Sequence, residues 1–368
     1  MITRRAFMAL SGVAAAVPSV AAGSAAPAGK DDYEGAVRRI WRHAEGDPAD
    51  APSLLRELVR YATLAPSSHN TQCWKFRLGE RSIAILPDLA RRCPVVDPDD
   101  HHLFVSLGCA AENLAQAALA NGLKALATPG AGAPAGLHVA LEPTRAVRSA
   151  LFDAIPLRQS TRAEYDGKPL TGEELQRLER AGSGAGVRVL LLTGKEAMDA
   201  VLEYVIAANT AQIDNPAFVE ELKRWIRFGE SEAVRSGDGL FSRSTGNPAL
   251  PRWMGSILFG LVFTPGNEND KLARQLRSSS GIAVFVSDAD DPTQWMETGR
   301  AFQRFALQAA ALGIRNAHVN QPVEVSTVRP QLATFLGIGP RRPDLVVRFG
   351  RGPLMPRSLR RPIRDVLA

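Results

Sequence analysis

Two short runs carry residue types from which a small-molecule binding site could be built. In Arg158-Gln159-Ser160-Thr161-Arg162, two guanidinium groups flank a hydroxyl. Guanidinium forks meet phosphate oxygens through paired, charge-assisted hydrogen bonds, so this run could clamp a phosphate ester. In Pro66-Ser67-Ser68-His69-Asn70-Thr71-Gln72, a proline supplies apolar surface, while Ser67, Ser68, Asn70 and Gln72 supply donors and acceptors. Plainer roles compete with both. Ser67, Ser68 and Asn70 also suit a helix end or a turn, and Arg158 and Arg162 suit surface ion pairs worth little. His69 and His318 could be hydrogen-bonded bystanders. No Ser-His-Asp or Cys-His arrangement and no carboxylate pair points to nucleophilic or acid–base catalysis. No side chain is therefore assigned a catalytic role, and no metal site is expected.

Composition narrows the class. The 368 residues are 45% apolar and 22% charged, ordinary for a globular protein, with a formal net charge of +6 and a sequence pI near 9.5. Arg341-Arg342 and Arg360-Arg361 are the visible basic doublets. Without a long basic block, aromatic interleaving or a nucleic-acid module, they read as solvating arginines plus a few that hold an anion. No nucleic-acid partner is expected. Cys73, Cys93 and Cys109 are odd in number and lack CxxC spacing, which argues against a disulfide scaffold or a cysteine zinc site. Cys73, beside the first run, is the one to watch for redox behaviour.

The N-terminus reads as an address. Arg4-Arg5 precede Phe7 and an apolar stretch through Val20, followed by the small residues Ala21 to Ala26. This resembles a twin-arginine export signal covering 1–26, with cleavage between 21 and 30. It implies an extracytoplasmic protein exported folded, often around a cofactor. The stretch is too short and interrupted to span a bilayer. No stable membrane association is expected after export.

An internal repeat organises the remainder. Gly108 and Gly122 bracket one apolar helical pattern, and Gly299 and Gly313 bracket another with the same spacing. The leading glycines would permit close helix packing, and the trailing ones suit helix C-termini. Leu55 and Leu58 precede the first pattern as Leu175 and Leu178 precede the second. Strands are expected at 82–86, 138–141, 187–192, 281–286 and 345–348. Gly130 to Gly136 reads as a turn, since no helix follows at dinucleotide-loop spacing. Residues 196–271 read as a long insertion, partly helical around Phe218, Leu222 and Trp225 and otherwise irregular, placed as a lid or substrate wall.

These motifs resemble the FMN-dependent nitroreductase superfamily. The run 155–162 with Pro169-Leu170 is similar to that family's opening segment, 65–76 to its second flavin motif, and 356–362 to its C-terminal phosphate arginines. Their order, with the export signal and Asp97-Pro98-Asp99, is closest to the Acg-type branch; Cys73 stands where that family usually has proline. The resemblance implies an α+β fold of mostly antiparallel sheets flanked by helices, as a tandem duplication that mimics the family homodimer. The halves would be 31–145 and 146–368, and a monomer is plausible. It also implies FMN held by Arg158, Ser160, Arg162, Arg361 and Arg360 at the phosphate. Pro66, Ser67, Ser68, Asn70, Gln72 and Asn320 would sit around the ring, Asn320 near its reactive edge.

The halves are unequal. Gly182 to Gly186 replaces the serine-rich run in the second half, and ungapped alignment sets Arg38 to Arg42 opposite Arg158 to Arg162, with Ile40 for the serine and Trp41 added. One composite FMN site per chain is therefore expected. The activity implied is oxidation of NAD(P)H with a nitroaromatic or quinone as the small-molecule acceptor. Two other readings stand beside it. One is an exported flavin-sequestering protein with little turnover, and the other is a binding protein for a different anion.

Overall fold

The computed structural model describes residues 32–46, 48–130 and 136–368. The proposed export signal lies outside them. After α1 (Tyr33–Ile40), the chain runs α2 (Ala51–Thr63), β1 (Trp74–Leu78), β2 (Ser82–Pro87), α3 (His101–Ala120), β3 (Leu123–Pro129) and β4 (Leu137–Pro143). Next come α4 (Ala150–Ala154), α5 (Gly172–Gly182) and β5 (Val187–Leu192). Then α6 (Lys195–Ile213), α7 (Pro216–Trp225), β6 (Ile226–Arg227), α8 (Glu230–Ser236), β7 (Leu240–Phe241), α9 (Arg252–Val262) and α10 (Pro265–Arg277) intervene. The chain ends with β8 (Gly281–Ser287), α11 (Pro292–Ala311), β9 (Arg315–His318), α12 (Gln321–Glu324), α13 (Arg329–Phe335) and β10 (Arg342–Gly350).

The fold is α+β. Two four-stranded antiparallel sheets have the orders β1-β2-β4-β3 and β5-β8-β10-β9. Each arises from the same succession of a helix, two strands, a long helix and two strands; the second is interrupted by α6 to α10 before β8 and by α12 and α13 before β10. Gly122 and Gly313 close their helices with φ of +74° and +70°, the left-handed turn that glycine adopts at least cost. The long helices α3 and α11 cross at their glycines. A Cβ on Gly108 would lie 1.9 Å from the Met296 carbonyl oxygen, and one on Gly299 would lie 1.9 Å from that of Val105. Each glycine thus faces the residue three positions before the other, a reciprocal contact that only backbone-to-backbone packing allows.

The expected strands all appear, β10 much longer than anticipated. Five more, β1, β3, β9 and the two-residue β6 and β7, were not read from the pattern. The segment expected to be largely irregular is instead mostly helix, α6 alone running nineteen residues. Helix α3 is apolar along most of its length but lies buried against α2 and α11. All three cysteines are free and buried. Burial pushes the Cys73 thiol up to about 11, which favours its protonated, weakly nucleophilic form.

Beyond β10 the C-terminal segment crosses from the second sheet to the first. Phe76 donates its amide to the Val366 carbonyl and Ala368 donates to the Phe76 carbonyl, so the tail extends the edge of β1. That crossing brings 356–361 beside α2 and the 66–73 loop.

Candidate functional site

Loop 66–73 leaves the end of α2 through a strained turn. His69, Asn70 and Gln72 adopt φ of 47°, 52° and 52°, unusual for residues with a Cβ and costly unless the surroundings enforce it. The enforcement is visible. Asn70 Nδ2 donates to the carbonyls of Gly239 at 2.9 Å and Leu359 at 3.2 Å, and its Oδ1 accepts from Arg360 Nη1 at 3.0 Å. Gln72 Nε2 donates to the Gly237 carbonyl at 2.8 Å, and its Oε1 accepts from the Arg361 amide at 2.8 Å. Asn70 and Gln72 therefore join the loop to 237–239 and to the tail. Their side-chain amides are committed to these partners and position the loop; Asn70 also lines the recess described below, whereas Gln72 lines neither that recess nor the cavity it joins.

Two of the expected phosphate arginines are engaged by the protein itself, although Arg360 also lines the recess described below. Arg360 donates from Nε to the Thr63 carbonyl at 2.6 Å and from Nη2 to those of Leu64 and Ala65 at 3.2 and 3.0 Å. It caps the exposed carbonyls at the end of α2, a standing role for a cation at a helix C-terminus. Arg361 does not line the cavities; its Nη2 donates to the Asp365 carbonyl at 2.7 Å.

Arg158 behaves differently. It is buried, with only Nη2 bonded, to the Leu64 carbonyl at 3.1 Å; Nε and Nη1 have no acceptor. Burial lowers its pKa to about 10, with Arg357 adding like-charge repulsion. Unpaired buried guanidinium N–H groups are expensive, so a native fold retains them where an anion will complete them. Arg158, Ser160, Arg162 and Arg357 line one recess of about 50 Å³ together with Trp41 and Ser67. Arg357, part of the 356–362 run but given no role of its own there, donates to the Arg158 and Leu157 carbonyls at 3.1 and 3.2 Å and stacks 4.6 Å over Trp41. Trp41, which the ungapped alignment sets opposite Thr161, walls this recess. Arg38 and Arg42, aligned with Arg158 and Arg162, are exposed.

The recess continues, through Pro66, Ser67, Ser160 and Arg162, into a cavity of about 550 Å³. Its inner wall holds Ser68, His69, His102, Phe302, His318 and Asn320. Asn320 is fixed by accepting the Val346 amide at 2.9 Å, and its Nδ2 lies 3.2 Å from His102 Nε2. Its outer wall is apolar and belongs to α7, α9 and the intervening loops, including Phe218, Leu222, Phe228, Leu258 and Phe259. The arrangement offers a cationic recess opening into a roomy, largely apolar slot with a few fixed polar groups, the form of a cofactor or small-molecule site.

No protein-family profile matches the chain. Two Mycobacterium tuberculosis proteins from different strains, each carrying the provisional name NAD(P)H nitroreductase, are 25% identical to it over 328 residues. That similarity covers 85% of this chain and 90% of each relative. Among solved structures, the FMN-dependent nitroreductase of Mycobacterium smegmatis in complex with NADPH is 16% identical, covering 55% of this chain and 87% of its own, with a TM-score of 0.35. A nitroreductase with bound FMN from Bacteroides fragilis is 14% identical, covering 56% and 89%, with a TM-score of 0.34.

The titratable groups around the cavity are mostly held neutral. Burial, with Arg162 and His102 nearby, lowers His69 to about 4; burial, with His102 and Arg162, lowers His318 to about 3. For His102 burial works against the charge, but the Asp97 carboxylate outweighs it and raises the pKa. Asp97, His101 and His102 lie close enough to suggest metal ligation. Asp97, however, accepts the amides of His102 and Leu103, both at 3.0 Å, and His101 Nε2 contacts Asp344 at 3.0 Å. The trio serves to start α3 and anchor it to β10.

A pH dependence follows. Unfolded, His318 takes a proton near 6.5; folded, it resists to about 3. Between those values the unfolded chain binds more protons, so this stabilisation is full above pH 6.5 and is lost as pH falls. Asp344 acts oppositely, because burial raises it from 3.8 to about 7: its contribution is full below 3.8 and is lost as pH rises through 7. The clean measurement is therefore a difference between proteins. Flavin-free wild type should lose more stability than His318→Gln between pH 7 and 4.5 in urea titrations, and parallel pH profiles would refute the assignment.

Proposed function

We propose that the chain is a nitroreductase-like oxidoreductase of the Acg type that holds one FMN, with the flavin accepting hydride from NAD(P)H and passing electrons to a nitroaromatic or quinone. The observation that carries this reading is the buried Arg158 guanidinium, in the wall of the recess, whose Nε and Nη1 have no acceptor. It fits a phosphate monoester, and the adjoining cavity suits a planar ring. Arg158, Arg162, Arg357 and the Ser160 hydroxyl would hold the phosphate. Pro66, Ser67 and Ser68 would border the ring on one side, with Asn320 and His318 on the other. Bound there, FMN supplies the hydride chemistry, and the protein supplies binding, orientation and shielding from water. The 25%-identical relatives support the same class.

In this reading the two sheets with matching strand orders are the halves of a tandem duplication, 31–145 and 146–368, and the site is composite. Loop 66–73 comes from the first half, and Arg158 to Arg162 and Asn320 come from the second. The chain is exported through its twin-arginine segment and works as a monomer outside the cytoplasm. A flavin-to-protein ratio near one is expected for reconstituted protein; a ratio near two would refute the single-site assignment.

A sequestering role has one observation in its favour, namely that α7 and α9 wall the cavity. Anaerobic mixing with NADPH or NADH separates the two. Rapid bleaching of the yellow protein supports turnover, and a flavin that dithionite reduces but neither nucleotide does supports sequestration. A purified protein that takes up no FMN would sink both.

A further inference from the structure

Helix α9 is apolar on both sides. Toward the protein, Gly255, Leu258, Phe259 and Val262 line the large cavity. Toward solvent, Trp253, Ile257 and Leu261 recur at four-residue spacing with 66%, 58% and 69% of their surfaces exposed. No charged residue occurs from 253 to 267. A helix apolar all round is normally buried, and a contiguous exposed apolar stripe marks an interaction surface.

We propose that the outer face of α9 docks reversibly on an anionic lipid surface. Three observations favour lipid as the occupant. First, the stripe is too small for a stable dimer. Eleven residues make a helix about 16 Å long and about 10 Å wide, roughly 160 Å², against the ~800 Å² per partner that a specific interface needs. Second, the tryptophan lies beside the only charged residue of the helix, Arg252, an amphipathic end suited to the headgroup level. Third, the rim at that end is basic. Arg252 Nη1 reaches the Ile226 carbonyl at 3.5 Å, which sets it at the end of α7, whose last turn carries Lys223 and Arg224. Arg252 itself pairs with Glu232, so Lys223 and Arg224 are the groups offered to lipid phosphates.

Docking in this plane differs from spanning, and it places one helix between the lipid and the cavity. A lipid-dissolved quinone would then be the acceptor nearest to hand. That consequence rests on the oxidoreductase reading; the docking does not.

The test is co-sedimentation of the full chain with vesicles of mixed phosphatidylglycerol and phosphatidylcholine, and with phosphatidylcholine alone. The wild type should bind the anionic vesicles more tightly. The triple variant Trp253→Ser, Ile257→Ser, Leu261→Ser should lose about ten-fold or more in partitioning, with unchanged circular dichroism, thermal midpoint and flavin content. Lys223→Gln with Arg224→Gln should erase the preference for anionic lipid. Because all variants keep the same N-terminal segment, that segment cannot produce the difference. Equal binding by wild type and triple variant, no binding by either, or a concentration-dependent dimer that the triple variant abolishes would each overturn the proposal. Colourless protein that still docks through α9 would refute the oxidoreductase reading alone.

Discussion

Arg158→Met is expected to weaken FMN binding by roughly 100-fold or more while leaving the flavin-free protein as stable as the wild type or more so. The first half follows from the number of bonds lost. Arg158 has two unpartnered nitrogens in the recess wall, and a hydrogen bond to a charged partner is worth about 1.5–3 kcal/mol. Arg162, Arg357 and Ser160 remain, so binding is weakened and not abolished.

The second half separates a ligand-binding arginine from a structural one. In the flavin-free protein Arg158 is a buried charge with one hydrogen bond, and such a charge destabilises the fold that contains it. Methionine has a similar length and no desolvation cost. The carbonyl that Arg158 serves, that of Leu64, keeps a donor in Arg360 at 3.2 Å. Arg360→Met should show the opposite pattern, with a thermal midpoint several degrees lower, because Thr63, Leu64 and Ala65 would lose their cap together. Isothermal titration with FMN and thermal melts of both flavin-free variants give the comparison. A marked loss of stability in flavin-free Arg158→Met, with FMN affinity unchanged, would mean that Arg158 is merely part of the scaffold.

The contrast between these arginines shows what the sequence could reveal. Arg158 and Ser160 were legible because their spacing is local. Arg357 was not, since it reaches the recess only through a tail that returns across both sheets. Asn70 and Gln72 were recognised as important and given the wrong partners. Residue type reveals that an amide has donors; only the left-handed backbone shows that those donors turn toward 237–239 and the tail. Strand β8 was clear from its apolar run Ile282 to Val286, whereas Arg315–His318 has no period of its own and becomes β9 only because β10 lies beside it. In the 196–271 insertion α7 was legible from Phe218, Leu222 and Trp225, whereas α9 is apolar both toward the cavity and toward solvent, so no single apolar stripe marks it. The glycine pairs were legible for the opposite reason: a demand for no side chain leaves one visible letter.

Those glycines set the second large effect. Gly299→Ala should lower stability by about 3 kcal/mol or more, seen as a fall in thermal midpoint of roughly 5–10 °C. The new Cβ would sit 1.9 Å from the Val105 carbonyl oxygen and 2.8 Å from its carbon, both backbone atoms of a buried helix that cannot rotate aside. Relief requires α3 and α11 to separate along their whole contact. Gly108→Ala meets Met296 in the same way, at 1.9 Å from oxygen and 2.7 Å from carbon. Once one substitution has parted the helices the other has room, so the double variant should cost less than the sum of the singles by about 1 kcal/mol or more. Gly313→Ala is the control: its φ of +70° strains an alanine, but nothing lies within 4 Å, so a cost near 1 kcal/mol is expected. Because α3 carries Val105, Ser106 and Cys109 and α11 carries Phe302 on the cavity wall, the parted helices should also release flavin. Strict additivity of the two substitutions would show that the glycines act independently, and that the reciprocal crossing does not hold the long helices together.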